Sequence, residues 1–422
     1  MKCSQTEEEK PMNLQSEQSD KVKYIAVLNA EQFKGGKKLP LPTTQSNVPS
    51  LAITLRYPRQ WFTPVHPFAE HAEEQTRQWL AALGLLDSAQ AQAKFRHLGV
   101  ARYGGWPLYN TDPEALVTIT RFLTLWIYYD DMLEGLGEGR EELAVSAIRG
   151  DGDFVPPEGG SAHLKAWWQT ALRYRQRMSA DWCAGMGEMF REWLGSVKAE
   201  AEQLRRLRAQ QRYPSTEEYL ECRRTSIGVY PTLCLLEYAI GQGLPTQMRE
   251  HPAMRQLMKG AAEMVLVQND MVSVAKDAKE QLLNLYFCLS QDHGQAEAIC
   301  REIERLHDHG LKSFLNGKKI LLQEFAEGSP EGTLLRKWIT AAETMCHGFA
   351  RWHVSNTRYA PELRLGEAPP ISIQVEYIRT YAEAIKGGPK KIFIGRLPAA
   401  GNDKAPQTRE HIMLAHQVGV PI

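Results

Sequence analysis

One run of the chain has no side that could face water. Residues 116–129 read LVTITRFLTLWIYY, apolar almost all the way round a helix, so this helix should be buried. Gly135, Gly137 and Gly139 end the pattern. Between run and glycines stand Asp130, Asp131 and Glu134, three acids at the C-terminal end of a buried helix. The helix dipole is already negative there, and each acid is disfavoured by roughly 0.3–1 kcal/mol. A divalent cation would offset that penalty. Mg2+ is the oxygen-seeking choice, typically held by one or two carboxylates plus a phosphate. Asp130 and Glu134 are four apart and share one helix face. The plain alternative is a solvated helix end.

The rest of the chain supplies helices to surround such an element. Helical patterns run over 71–85, 113–134, 162–177, 182–211, 216–241, 252–278, 296–325 and 332–355, while strand-like alternation is scarce and no repeat shows. The expected fold class is all-α: a single helical bundle over 56–365. Residues 1–55, rich in Gln, Ser, Glu, Lys and Pro, read as a disordered leader. Residues 366–422 read as a C-terminal extension, with VEYIRTYAEAI as one further helix and then a flexible tail.

Composition removes several classes. The 50 Lys and Arg balance the 50 Asp and Glu, so no overall field draws the chain to nucleic acid or an anionic membrane. The 7 cysteines are odd in number and form no C-x-x-C pair, which argues against a disulfide framework or zinc site. No apolar run spans a bilayer, and the N-terminus lacks an apolar signal core; a cytoplasmic protein is expected. GLGEGR and GGPKK lack the strand context or spacing of a nucleotide loop.

A second stretch carries oxygen ligands. VQNDMVSVAKD (267–277) places Asn269, Ser273 and Asp277 at i, i+4 and i+8, one oxygen-bearing stripe among apolar neighbours. Three short oxygen ligands so spaced can chelate one hard cation along a helix. The alternative is an ordinary wet face, although Asn and Ser are mediocre helix formers.

DDMLE (130–134) together with NDMVSVAKD (269–277) resembles the aspartate-rich and Asn-Ser-Glu motifs of class I terpene synthases of the microbial type. PFAEHAEEQTRQWLAALGL resembles that family's N-terminal helix, RRTSIGVYP (223–231) its diphosphate-sensing segment, and WHVSNTRY (352–359) its closing Arg-Tyr pair. The resemblance extends from about 62 to 359, leaving both ends outside it. Two departures stand out. Asp277 occupies a place where the family usually has glutamate, one methylene longer. The sensor arginine is Arg223 or Arg224, with Arg223 favoured by its 46-residue distance from Asn269.

The resemblance implies a helical bundle around a central apolar cavity, and a terpene cyclase that ionises an allylic prenyl diphosphate. Three Mg2+ ions are implied, held by Asp130 and Glu134 on one side and by Asn269, Ser273 and Asp277 on the other. Arg223 or Arg224, Lys276, Arg358 and Tyr359 would bind the diphosphate, with Asp131 supporting its motif. Phe122, Trp126, Ser226, Ile227, Gly228 and Trp352 would line the pocket; Gly228 and Pro231 should break their helix there. Farnesyl diphosphate is the default substrate by family frequency; geranyl, geranylgeranyl and methylated prenyl diphosphates remain open. A homodimer is compatible with this reading. The rivals are a chain-elongating prenyltransferase, which would need a second aspartate-rich motif, and a helical interaction protein without activity.

Overall fold

The computed structural model describes residues 21–26, 51–62, 64–100, 111–130, 140–151, 161–293, 295–355 and 371–378. Its helices are α1 (Ala69–Ala82), α2 (Ala89–Leu98), α3 (Pro113–Asp130), α4 (Arg140–Arg149), α5 (Ala162–Arg177), α6 (Ala180–Gln210) and α7 (Thr216–Ser226). They continue as α8 (Val229–Ile240), α9 (Thr246–Arg249), α10 (Pro252–Glu280), α11 (Leu285–Asp292), α12 (Ala296–Glu324) and α13 (Pro330–Ser355). Among the described residues the fold is this helical bundle plus one small sheet.

The apolar run of α3 is almost wholly enclosed, with only Val117 and Arg121 half-buried. Every residue from Phe122 to Tyr129 on α3 is buried. Phe122 meets Trp167 of α5 edge-on at 5.3 Å and Phe190 of α6 at 6.0 Å, an aromatic cluster that binds three helices together. The closest helix contact lies between α10 and α12. A Cβ added at Gly260 would stand 2.4 Å from the Gly310 carbonyl oxygen, so glycine alone lets the two backbones touch.

The helical pattern over 216–241 is broken at Gly228, as expected, into two helices. α7 begins with a capping box in which Ser215 and Glu218 satisfy each other's backbone N–H. It ends before Gly228, whose φ of 73° is left-handed and forbidden to a continuing helix. Pro231 then falls in the first turn of α8, where its missing N–H does no harm.

The ends of the chain differ from expectation. Strands β1 (Lys21–Ala26), β2 (Leu51–Pro58) and β3 (Ile371–Ile378) make a sheet with β3 central, antiparallel to β1 and parallel to β2. The leader read as disordered therefore supplies β1 and the start of β2. The helix read in VEYIRTYAEAI is strand as far as Ile378; its remainder lies outside the described residues. Ile53, Leu55 and Tyr57 of β2 are buried, the period-two pattern of a strand with one covered face. The Thr54 N–H donates to Glu304 at 2.7 Å and Arg56 pairs with Asp308 at 2.8 Å, which pins β2 to α12.

At the inner end of β2 the Tyr57 hydroxyl meets His307 Nε2 at 2.9 Å and accepts from Gln268, while His347 stands edge-on to its ring at 5.8 Å. Burial, with Arg351 adding to it, holds His347 down to about 3. Above about pH 6.5 the ring is neutral folded and unfolded alike. As pH falls below that, the unfolded chain takes up a proton that the native state refuses, so stability is lost progressively toward pH 3. A His347→Phe variant should lose less stability than the parent between pH 6.5 and 4, read as the fall in Tm; equal falls would acquit His347. Gly260→Ala should cost about 1–3 kcal/mol in urea unfolding, because neither backbone at the α10–α12 crossing can give way.

Candidate metal and diphosphate site

The oxygen stripe forms on α10 as its spacing requires. Asn269, Ser273 and Asp277 follow one another along one face, and Ser273 Oγ donates to Asp277 Oδ2 at 2.5 Å. Asp277 is only 7% exposed, so it is not a surface acid late in its helix. Burial pushes its carboxyl up to about 6, against the pull of Lys276, Ser273 and Asn284. Lys276 Nζ lies 4.0 Å from Asp277 Oδ1 and closer, 3.3 Å, to Glu280. An amide, a hydroxyl and a buried carboxylate with incompletely balanced charge form a donor set that fits a hard divalent cation. Among the described residues no group of three His, Cys, Asp or Glu could hold a metal, so any centre here depends on the amide and hydroxyl oxygens.

Arg223 meets this stripe from α7. Its Nη2 donates to Asn269 Oδ1 at 2.7 Å and to Asp270 Oδ1 at 3.1 Å, its Nε reaches Asp270 at 3.2 Å, and Nη1 reaches Glu200 of α6 at 3.4 Å. Arg224 turns elsewhere: its Nε donates to Glu263 at 2.9 Å, and Glu263 also meets His309 at 2.9 Å. Of the two arginines left open by sequence, Arg223 is the one beside Asn269. Asp270, 1% exposed, also accepts from the Tyr219 hydroxyl at 2.6 Å and the Leu285 N–H at 3.0 Å. Burial still pushes it above the usual carboxylate range.

The break between α7 and α8 stands against the end of α3. A Cβ at Gly228 would overlap Trp126, 1.8 Å from Cζ2, so the indole lies directly on the glycine backbone. Tyr129 packs on Trp193 at 5.3 Å, and Trp193 Nε1 donates to the Ser226 carbonyl at 3.0 Å. Ser226 Oγ donates to Glu200, the carboxylate that also receives Arg223. Ile227 is buried at the turn. Asp130, one turn beyond Trp126, thus ends α3 beside the break; its side chain, with Asp131, Glu134, Arg358 and Tyr359, lies outside the described residues.

The remaining expected wall residues sit in packing. Phe122, 1% exposed, is enclosed by the aromatic cluster. Trp352, 2% exposed, donates its Nε1–H to the Leu98 carbonyl at 3.2 Å. A cavity of about 770 Å³ opens near Asp112, Arg177 and Arg336 at the start of α3. Asn269, Ser273 and Asp277 are not among the residues that line it.

Sequence reasoning passed over Asp270, Glu200, Asn284 and His353. Asn284 caps α11, and an asparagine ahead of the apolar LYFCL was a readable cap signal. Asp270 stood inside the quoted motif but off its i, i+4 stripe. His353 Nε2 meets Asn269 Nδ2 at 3.2 Å, within the closing motif. Glu200 carries no local signal, because only the packing of α6 on α7 brings it to Arg223.

A sequence profile described as terpene synthase family 2, C-terminal metal binding, matches residues 121–313. Pristinol synthase of Streptomyces pristinaespiralis is 26% identical over 383 residues, covering 88% of this chain and 97% of its own. A 4-epi-cubebol synthase from Streptosporangium roseum, named as cyclising (2E,6E)-farnesyl diphosphate, is 22% identical, covering 73% and 92%. The linalool/nerolidol synthase of Streptomyces clavuligerus, crystallised with 2-fluorogeranyl diphosphate, shares the fold at a TM-score of 0.61 and 20% identity, covering 68% of this chain and 99% of that one. The profile, these relatives and the solved structures all indicate a microbial class I terpene synthase; the named relatives are lyases that act on prenyl diphosphates. The profile describes a metal-binding domain, which implies a metal cofactor.

The two arginines separate in stability as well as position. Arg223→Met should cost about 3–5 kcal/mol by chemical unfolding, because Asp270 is left buried without its counter-charge. Arg224→Met should cost less than half of that, since Glu263 keeps His309. Equal losses would contradict this division of roles.

Proposed function

We propose that the protein is a Mg2+-dependent terpene cyclase whose preferred substrate is farnesyl diphosphate. The observation that carries this reading is the 2.7 Å hydrogen bond from Arg223 to Asn269 Oδ1, which joins a diphosphate-binding arginine to the first residue of the oxygen stripe. The preference for the farnesyl chain draws support from the substrate in the name of the Streptosporangium relative.

In this reading Asn269, Ser273 and Asp277 would hold one Mg2+, and Asp130 with Glu134 would hold two more. Bound metal supplies neutralisation of the charge that grows on the departing diphosphate. Arg223 would donate N–H bonds to the same oxygens, joined by Lys276, Arg358 and the Tyr359 hydroxyl, and Asp131 would support its motif. Asp270 and Glu200 keep the guanidinium aimed, so little reorganisation is needed as charge develops. Departure of diphosphate leaves an allylic carbocation, and no protein nucleophile is required. The break at Ser226, Ile227 and Gly228, where α7 ends, would flank that cation, with the Ser226 carbonyl held by Trp193. Trp126 presents an aromatic ring there, and such a face stabilises positive charge by roughly 0.5–2 kcal/mol.

The test is incubation of the purified protein with geranyl, farnesyl, geranylgeranyl and methylated prenyl diphosphates, with diphosphate release and volatile products measured. Release is expected with farnesyl diphosphate, abolished by chelation and restored by Mg2+. Absence of metal-dependent release from every substrate would overturn the reading. Asp277→Asn should lower turnover by about 10²–10³ and first show a raised Mg2+ requirement, whereas Asp277→Glu should retain far more activity. Near-parental turnover of Asp277→Asn at low Mg2+ would remove Asp277 from the centre.

A further inference from the structure

Asn284 has no exposed surface, and its single amide makes contacts in four directions. Its Oδ1 accepts from the Tyr286 N–H at 2.9 Å and so caps α11. Its Nδ2 faces the other way, into α10. There it donates to Asp277 Oδ2 at 2.8 Å and to the Asp270 carbonyl at 2.7 Å, with Ser273 Oγ at 3.3 Å. Ser273 in turn donates to that same Asp277 oxygen. Two donors therefore grip Oδ2 from the protein side, and Oδ1 is turned away from the grip toward Lys276.

We propose that Asn284 is a positioning residue for the cation-binding stripe, holding Ser273 and Asp277 in the rotamers that direct their remaining lone pairs outward. This rests on the metal-binding reading of α10. A carboxylate or hydroxyl on a helix surface has several rotamers, and fixing one before the cation arrives removes an entropic loss from binding. The amide suits this role because it donates and accepts at once. Its acceptor end is tied to the first turn of α11, and its donor end carries that rigidity to two ligands four residues apart. The Leu285 N–H adds a second tie between the same helix start and Asp270, which holds Arg223. One helix N-terminus thus braces both the stripe and the arginine beside it.

The plain alternative is that Asn284 only caps α11. The experiment separates them by binding rather than activity. Mn2+ affinity is measured by titration of the full chain, with and without inorganic diphosphate, alongside Tm in metal-free buffer. Asn284→Ala removes cap and donors together and should lower both Tm and affinity. Asn284→Ser keeps an oxygen able to cap α11, but its shorter stem cannot reach both ligands as a donor. Asn284→Ser should keep a Tm close to the parent's and bind Mn2+ about 10–100-fold more weakly. Parental Mn2+ affinity in folded Asn284→Ser would overturn the proposal and leave a cap alone. If the parent binds Mn2+ no better than Asp277→Asn does, the metal reading of the stripe itself falls, and this proposal falls with it.

Discussion

A carboxylate taken out of water must be satisfied on both oxygens, and Asp270 sets that requirement at the centre of this molecule. It sits mid-way along α10, effectively inaccessible, with Arg223 on one oxygen and Tyr219 and the Leu285 N–H on the other. Those partners come from α7 and from the start of α11. Satisfying one buried charge therefore dictates how three helices meet. Arg223 reaches Asn269 because the neighbouring Asp270 anchors it, so the arrangement of the candidate site follows from a demand of the core.

Two further constraints keep that demand met. The glycine contact between α10 and α12 allows backbone-to-backbone packing, and this fixes the rotation of α10 and hence which way its oxygen stripe points. The break at Gly228 does the same for α7. Trp126 occupies the space that any side chain at 228 would need, so the end of α3 and the end of α7 are held against each other. Small residues at crossings and one left-handed glycine thus translate core packing into the placement of polar groups.

Much of this was legible along the chain. The buried run of α3, the long periodic helices and the break at Gly228 all rest on local spacing, which a single sequence displays. The stripe of Asn269, Ser273 and Asp277 was legible for the same reason, since i, i+4, i+8 is a statement about one helix. The sheet was not. Ile53, Leu55 and Tyr57 alternate, but β2 pairs with a strand more than 300 residues later, and a strand without its partner looks like a polar leader. Spacing from Asn269 favoured Arg223 over Arg224 but did not decide between them, because adjacent helix residues differ only in direction. Direction depends on which acids, Asp270 and Glu200 or Glu263, are packed nearby.

By itself the sequence determined a helical protein with a buried central helix, a stripe of oxygen donors and motifs that resemble those of class I terpene synthases. Tertiary structure alone decided which arginine faces the stripe, that Asp277 is enclosed, that Asn284 braces it, and that the two chain ends join in one sheet. The physical reason is range. Periodicity, caps and left-handed glycines act within a turn or two of helix. Burial, charge compensation and strand pairing are set by residues tens to hundreds of positions away, brought together only when the helices pack.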